Sequence, residues 1–146
     1  MDRSELSAIW RSLHHQHRMC HHHIAADLGL YYGQPMVLLI LSCDPGLSLA
    51  DLAERINITP ASVTVSVGRM EKSGLIEKIP DPEDHRRYAL RLTEKGEELA
   101  CRCRERLDRV DEVMYADFTP RERETFSALC RRMENNLKRF EEEGRL

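Results

Sequence analysis

The feature that most constrains this chain is a change of period at Gly74. Upstream of it, apolar residues recur at steps of three and four. From Leu75 to Leu92 they alternate, and after Thr93 the helical spacing returns. Two short strands enclosed by helices predict a mainly α fold with one small β-hairpin, strands Leu75 to Ile79 and Arg87 to Leu92, with Tyr88, Leu90 and Leu92 on a common face. Between the strands, Pro80-Asp81-Pro82-Glu83-Asp84-His85-Arg86 is too charged and too proline-broken to be buried, so it reads as an exposed hairpin tip.

Start and stop signals divide the chain ahead of this hairpin. Gln34-Pro35 sets a proline at the opening of a helix whose inner face is read as Met36, Leu39, Ile40 and Cys43. Asp44-Pro45-Gly46 ends it in a turn. Ser48-x-x-Asp51 matches a capping box and opens a short helix to about Ile56. Asn57 suits the tight turn that follows, because asparagine tolerates a left-handed backbone. Thr59-Pro60 starts another helix as cap and first-turn proline, and Gly74 stops it. Two short helices, a tight turn and a hairpin describe a winged helix-turn-helix over residues 34–92.

The flanks are long helices. Leu6, Ile9, Trp10, Leu13, His17, Cys20, Ile24 and Leu28 form one stripe, broken at Tyr31-Tyr32-Gly33. Thr93 caps a helix striped by Leu99, Cys103, Leu107, Val110 and Met114. Thr119-Pro120 starts a last one, striped by Phe126, Leu129, Cys130, Met133, Leu137 and Phe140. A small winged unit cannot cover all these stripes. Burying them against a second copy gains roughly 25 cal/mol per Å². The expectation is one domain over residues 1–146, with 1–33 and 93–146 as a homodimerisation region. A twofold dimer would set its two recognition helices about 34 Å apart.

Composition excludes several classes. With 41% hydrophobic and 32% charged residues the chain is globular, and at 5% aromatics it lacks the material of an aromatic-rich sheet core. The longest apolar run, Met36 to Leu41, is far short of the ~20 residues of a membrane span. The opening residues have no signal-peptide core, so the expected location is cytoplasmic, with no membrane partner. Five cysteines without a C-x-x-C pair make neither a disulfide framework nor a zinc ribbon. The net charge of −3 rules out an overall polybasic protein, and between Arg69 and Arg91 six basic residues face five acidic ones, so any DNA contact must rely on arrangement.

Within the winged unit, Val63, Val67 and Met70 suit the core, while Thr59, Ser62, Thr64, Ser66 and Arg69 turn outward. Their hydroxyls suit phosphates or base edges, and the guanidinium suits a phosphate or guanine. A merely solvated polar face fits the same residues. Asp84 stands two residues from Arg86, so its carboxylate can brace an outward guanidinium, and Arg87 follows as a further basic contact.

Leu49-Ala50-Asp51-Leu52-Ala53-Glu54, Thr59-Pro60-Ala61-Ser62-Val63-Thr64, Arg69-Met70-Glu71-Lys72-Ser73-Gly74-Leu75-Ile76, Pro80 to Arg87 and Leu92-Thr93-Glu94-Lys95-Gly96 closely resemble the MarR family of bacterial transcription regulators. The resemblance runs through nearly the whole chain. It implies a triangular homodimer that binds a palindromic operator in double-stranded DNA, usually represses, and often responds to a small-molecule effector or an oxidant. It sets Ser62, Thr64, Ser66 and Arg69 on the recognition helix, and Asp84 and Arg86 on the wing. The chain departs from the pattern at Val65, where many members are basic, and at Gly68, where an acidic or polar residue is common. These departures point to apolar base readout through thymine methyls, with phosphates contacted elsewhere.

Six of seven histidines lie between His14 and His23. His17 and His21 are one helical turn apart, a spacing that can hold one zinc, with Cys20 three residues from His17 and His14 at the stripe's edge. A metal or effector site at the dimer interface and a set of packed or solvated histidines both fit. Cys20, beside imidazoles, is the best redox candidate. Cys43, Cys103 and Cys130 read as core residues, and Cys101 faces the other side of its helix. A Cys20–His pair as nucleophile and base lacks any accompanying oxyanion loop or carboxylate pair, so no enzyme and no cofactor is expected. A protein-interaction module that has lost DNA binding is the remaining rival.

Overall fold

The computed structural model describes residues 2–80 and 88–144. Six helices and one hairpin follow in order: α1 (Arg3–Asp27), α2 (Gln34–Cys43), α3 (Leu49–Ile56), α4 (Pro60–Lys72), β1 (Ile76–Pro80), β2 (Tyr88–Leu92), α5 (Glu94–Met114) and α6 (Pro120–Glu142). The chain forms two compact units, Met1–Arg109 and Val110–Leu146.

The sequence's punctuation is realised. Ser48 and Asp51 form the capping box of α3, and Asn57 at its end is the one non-glycine residue with positive φ (58°) among those described. The Thr59 side chain accepts from the Ser62 N–H to cap α4, and Gly74 adopts φ 71° just past its end. Lys95 Nζ donates to the Ser73 carbonyl at 2.9 Å, placing a cation on the free carbonyls at that end. Thr119 and Glu122 form the capping box of α6. The carboxyl of Glu122 is held below the usual carboxylate range, chiefly by the Thr119 hydroxyl. A further box, Asp2 with Glu5, starts α1 earlier than the apolar stripe signals.

The hairpin pairs Ile76 with Leu92 and Pro80 with Tyr88 in antiparallel register. The first strand begins one residue later than alternation predicts, and the tip expected around Asp84 and Arg86 lies outside the described residues, as does Arg87, the expected start of the second strand. Leu75 belongs to the exit from α4 instead, its N–H donating to the Met70 carbonyl at 2.9 Å. The Leu-Thr-x-x-Gly stretch locks the hairpin to α5. Thr93 Oγ1 donates to the Gly74 carbonyl at 2.6 Å and accepts from the Gly96 N–H at 3.1 Å. A Cβ on Gly96 would stand 2.1 Å from the Leu75 carbonyl oxygen, so only glycine lets α5 come this close.

The core of the first unit is made by Leu38, Leu41, Leu52, Val63, Val67, Met70, Ile76, Leu90 and Cys103. This corrects the reading of α2. Its buried face is Val37, Leu38 and Leu41, whereas Met36 is exposed, Leu39 and Ile40 are half-buried and Cys43 is exposed. Every residue of Met36 to Leu41 is apolar, so periodicity carries no information about which side faces inward. Of the other cysteines expected in the core, Cys103 is buried and Cys130 half-buried; Cys101 is exposed as read. In the second unit α6 buries none of its residues, and Leu129, Met133, Leu137 and Phe140 all stand exposed.

Candidate nucleic-acid interface

The surface that α4 offers to a partner is set by what it buries. Val63, Val67 and Met70 point into the core. Counting 100° per residue from them puts Ala61, Val65, Gly68 and Lys72 on the diametrically opposite strip. Val65 is 55% exposed, unusual for a branched apolar side chain on a polar surface. A Cβ added at Gly68 would meet nothing within 4 Å. The outermost strip of the helix is therefore smooth and mostly apolar, with Lys72 at its C-terminal end.

The hydroxyls predicted to read DNA flank this strip. Thr59 and Ser62 are exposed, but they are tied to each other at 2.9 Å in the cap of α4. Thr64 donates to the Pro60 carbonyl at 2.8 Å on one flank. On the other flank Ser62 and half-buried Ser66 line a cleft. Arg69, exposed on that same side, lies over the Tyr31 ring with its guanidinium carbon 5.0 Å from the ring centre. Sequence reasoning missed Ala61, Lys72 and Tyr31. The first two could have been found by phasing the helix on Val63, Val67 and Met70; Tyr31 carried no signal beyond its place in a break.

At the stem of the hairpin, Lys78 pairs with Glu71 of α4 at 2.7 Å and lies over the Tyr88 ring. Glu71 holds the Lys78 ammonium above its ordinary range. This lysine braces the hairpin against α4. Arg55 is likewise paired with Asp44 at 2.7 Å.

The cleft beside α4 has a volume of about 530 Å³, within the size range of small-molecule sites. His21 and Ile24 of α1, Tyr32, Met36 of α2, Ile58, and Ser62 and Ser66 of α4 contribute to its walls. Its polar groups are two hydroxyls, an imidazole, a phenol and the Arg55 guanidinium, set among apolar side chains. Tyr32 is stacked on His22 with ring centres 4.0 Å apart, which fixes one wall to α1.

Of the α1 residues singled out for an effector or metal, His17 and His21 come together, Nε2 to Nε2 at 3.3 Å. Both are half-buried, as is Cys20, while His14 is exposed and stacks loosely on Trp10. Among the described residues no group of three His, Cys, Asp or Glu side chains is arranged to hold a metal. The thiol with a lowered pKa is Cys43, which accepts a hydrogen bond from Arg104 at 3.4 Å. That bond is the main cause of the shift.

A sequence model of the MarR family matches residues 30–88. Over 113 residues the chain is 33% identical to YybA, an uncharacterized HTH-type transcriptional regulator of Bacillus subtilis (strain 168), covering 77% of this chain and 75% of the relative. It superposes on the crystal structure of MarR with a TM-score of 0.71 at 30% identity, covering 92% and 98% of the two chains. On the PcaV transcriptional regulator of Streptomyces coelicolor the TM-score is 0.77 at 28% identity, over 90% and 96%. PcaV has also been solved in complex with its natural ligand.

Proposed function

The chain belongs to the MarR family of helix-turn-helix transcriptional regulators, and from that premise we propose that it is a homodimeric repressor that reads a palindromic operator and releases it when a small molecule fills the cleft beside α4. The observation that carries this reading is the placement of the cleft. Ser62 and Ser66 of the recognition helix form part of its wall, and Arg69 continues the same flank. A ligand seated there touches the element that enters the major groove, so its binding free energy can be spent on moving that helix.

Readout in this proposal divides by chemistry. Ala61 and Val65 offer methyl groups to thymine, and Gly68 lets the groove floor approach closely. Arg69, Lys72 and the wing residues Arg86 and Arg87 supply positive charge for phosphates and the minor groove, with the Asp84 carboxylate bracing Arg86. Thr59, Ser62 and Thr64 serve at the helix start, where a phosphate can also meet backbone N–H groups. PcaV, solved with its natural ligand, supports the ligand-responsive part.

Fluorescence anisotropy with a duplex from upstream of the protein's own gene tests the reading. Salt-sensitive binding, on the order of 10³-fold or more tighter than to random duplex, is expected. Arg69→Ala and Arg86→Ala should each lose about 1–3 kcal/mol. Binding to that duplex and to selected genomic fragments no tighter than to random sequence would overturn it.

A further inference from the structure

We propose that His17 and His21 form a binding site for a zinc-type divalent cation on α1. The two imidazoles stand at i and i+4 on one face of a helix, one above the other. Their Nε2 atoms are 3.3 Å apart, with ring centres at 4.4 Å and planes inclined by 51°. That separation matches a tetrahedral ion. Two nitrogens bound to zinc at ~2.0–2.1 Å with a tetrahedral angle between them lie ~3.3–3.4 Å apart. A right-angled pair on a square-planar ion would lie at ~2.9 Å for similar bond lengths. In the structure these two nitrogens are hydrogen-bonded to each other, one ring N–H donating to the other ring's nitrogen, so a cation that displaces the shared proton meets both at once.

The pair is held in place rather than free to splay. Both rings are half-buried, and the next turn of α1 is anchored by buried Ile24 and Ala25. Asp27, at the helix end, is bound to Arg106 of α5 at 2.9 Å. Neutral imidazole is a good ligand for zinc, and two of four tetrahedral positions are thereby supplied. Among the described residues no third His, Cys, Asp or Glu side chain is grouped with the pair to hold an ion, so within that part of the chain the remaining positions are open to water or an anionic oxygen donor. A site with open positions exchanges its ion, unlike a closed structural zinc centre. His21 also lines the cleft beside α4, so the ion sits where an entering carboxylate or phenolate could reach it.

This site stands on the geometry of α1 and not on the regulatory reading, so the test contains no DNA. Zinc chloride is titrated into the full-length, reduced protein in a calorimeter, and cobalt chloride is added in parallel to read coordination by visible absorption. One ion per chain is expected, with the intense bands of tetrahedral cobalt. Affinity should fall about tenfold or more in His17→Ala and in His21→Ala. The exposed-histidine variant His15→Ala/His23→Ala and Cys20→Ser should bind as the parent does. Zinc should also raise the melting temperature of the parent and leave His17→Ala/His21→Ala unmoved, which separates a lost site from a lost fold. Undiminished binding by that double variant, or an equal loss in the control variants, would overturn the assignment.

Discussion

Arg69 illustrates how one side chain is prepared for a task by another. An exposed arginine has many rotamers, and fixing it on a phosphate or a guanine costs side-chain entropy. The Tyr31 ring, 5.0 Å beneath the guanidinium, removes part of that freedom in advance of the proposed DNA contact. Tyr31 is itself held, its N–H donating at 2.9 Å to Oε1 of buried Gln34. Cation–π contacts at exposed sites are worth ~0.5–1 kcal/mol, so Tyr31→Ala should weaken operator binding by roughly two- to fivefold. Tyr31→Phe keeps the ring and should bind as the parent does. A double-mutant cycle checks the mechanism: Tyr31→Ala added to Arg69→Ala should bring no further loss, and additive losses would show that Tyr31 acts elsewhere. No pattern in the sequence announces this pair, because its members stand 38 positions apart and only the packed fold juxtaposes them.

At the level of elements, α4 owes its limits to local chemistry and its outward face to packing. The Thr59 cap, the first-turn proline and Gly74 are readable in sequence because each satisfies a backbone requirement within a few residues. The same holds for the Ser48–Asp51 box and for Asn57. The inner face of α2 is not readable, because an unbroken apolar run from Met36 to Leu41 offers no phase. Spacing alone therefore puts Cys43 on the inner face, whereas it stands exposed against Arg104. The spacing of α4 turns Ser66 outward, yet it is half-buried at the cleft, since a hydroxyl's neighbours are set by α1 and α2 and not by its own helix. Gly68 gives α4 its sharpest test. With nothing within 4 Å of an added Cβ, Gly68→Ala should stabilise the helix by about 0.5–1 kcal/mol, raising the melting temperature by a few degrees. If Gly68 is there for close approach of the groove, the same variant should bind operator more weakly. Opposite signs in a thermal melt and an anisotropy titration support that role, whereas gains in both would make Gly68 a mere weakness in the helix.

At the scale of the whole molecule, the question is what covers the apolar surface that the single chain leaves in water. Leu6, Ile9, Trp10 and Leu13 on α1 are each at least 40% exposed, and so are Leu129, Met133 and Leu137 on α6. The stripes repeat at helical spacing, as expected of faces that pack on another helix. A second copy of the chain is the occupant that the family and the operator's proposed symmetry both favour. Met133→Arg/Leu137→Arg would place two charges in that contact. Light scattering should then shift from dimer to monomer, while circular dichroism keeps the helical signal, because the core around Leu38, Leu52 and Val67 lies in the other unit. The monomer should retain weak, salt-sensitive association with any duplex and lose preference for the operator, since one helix grips only one half-site. Operator geometry supplies the independent check. Two recognition helices fixed about one DNA turn apart tolerate no half-turn change, so inserting about five base pairs between half-sites should abolish the parent's preference. Inserting about ten should restore part of it, at the cost of bending or stretching the pair. Preference that survives the half-turn insertion would mean that each chain reads DNA alone, and the uncovered stripes would then belong to some other partner.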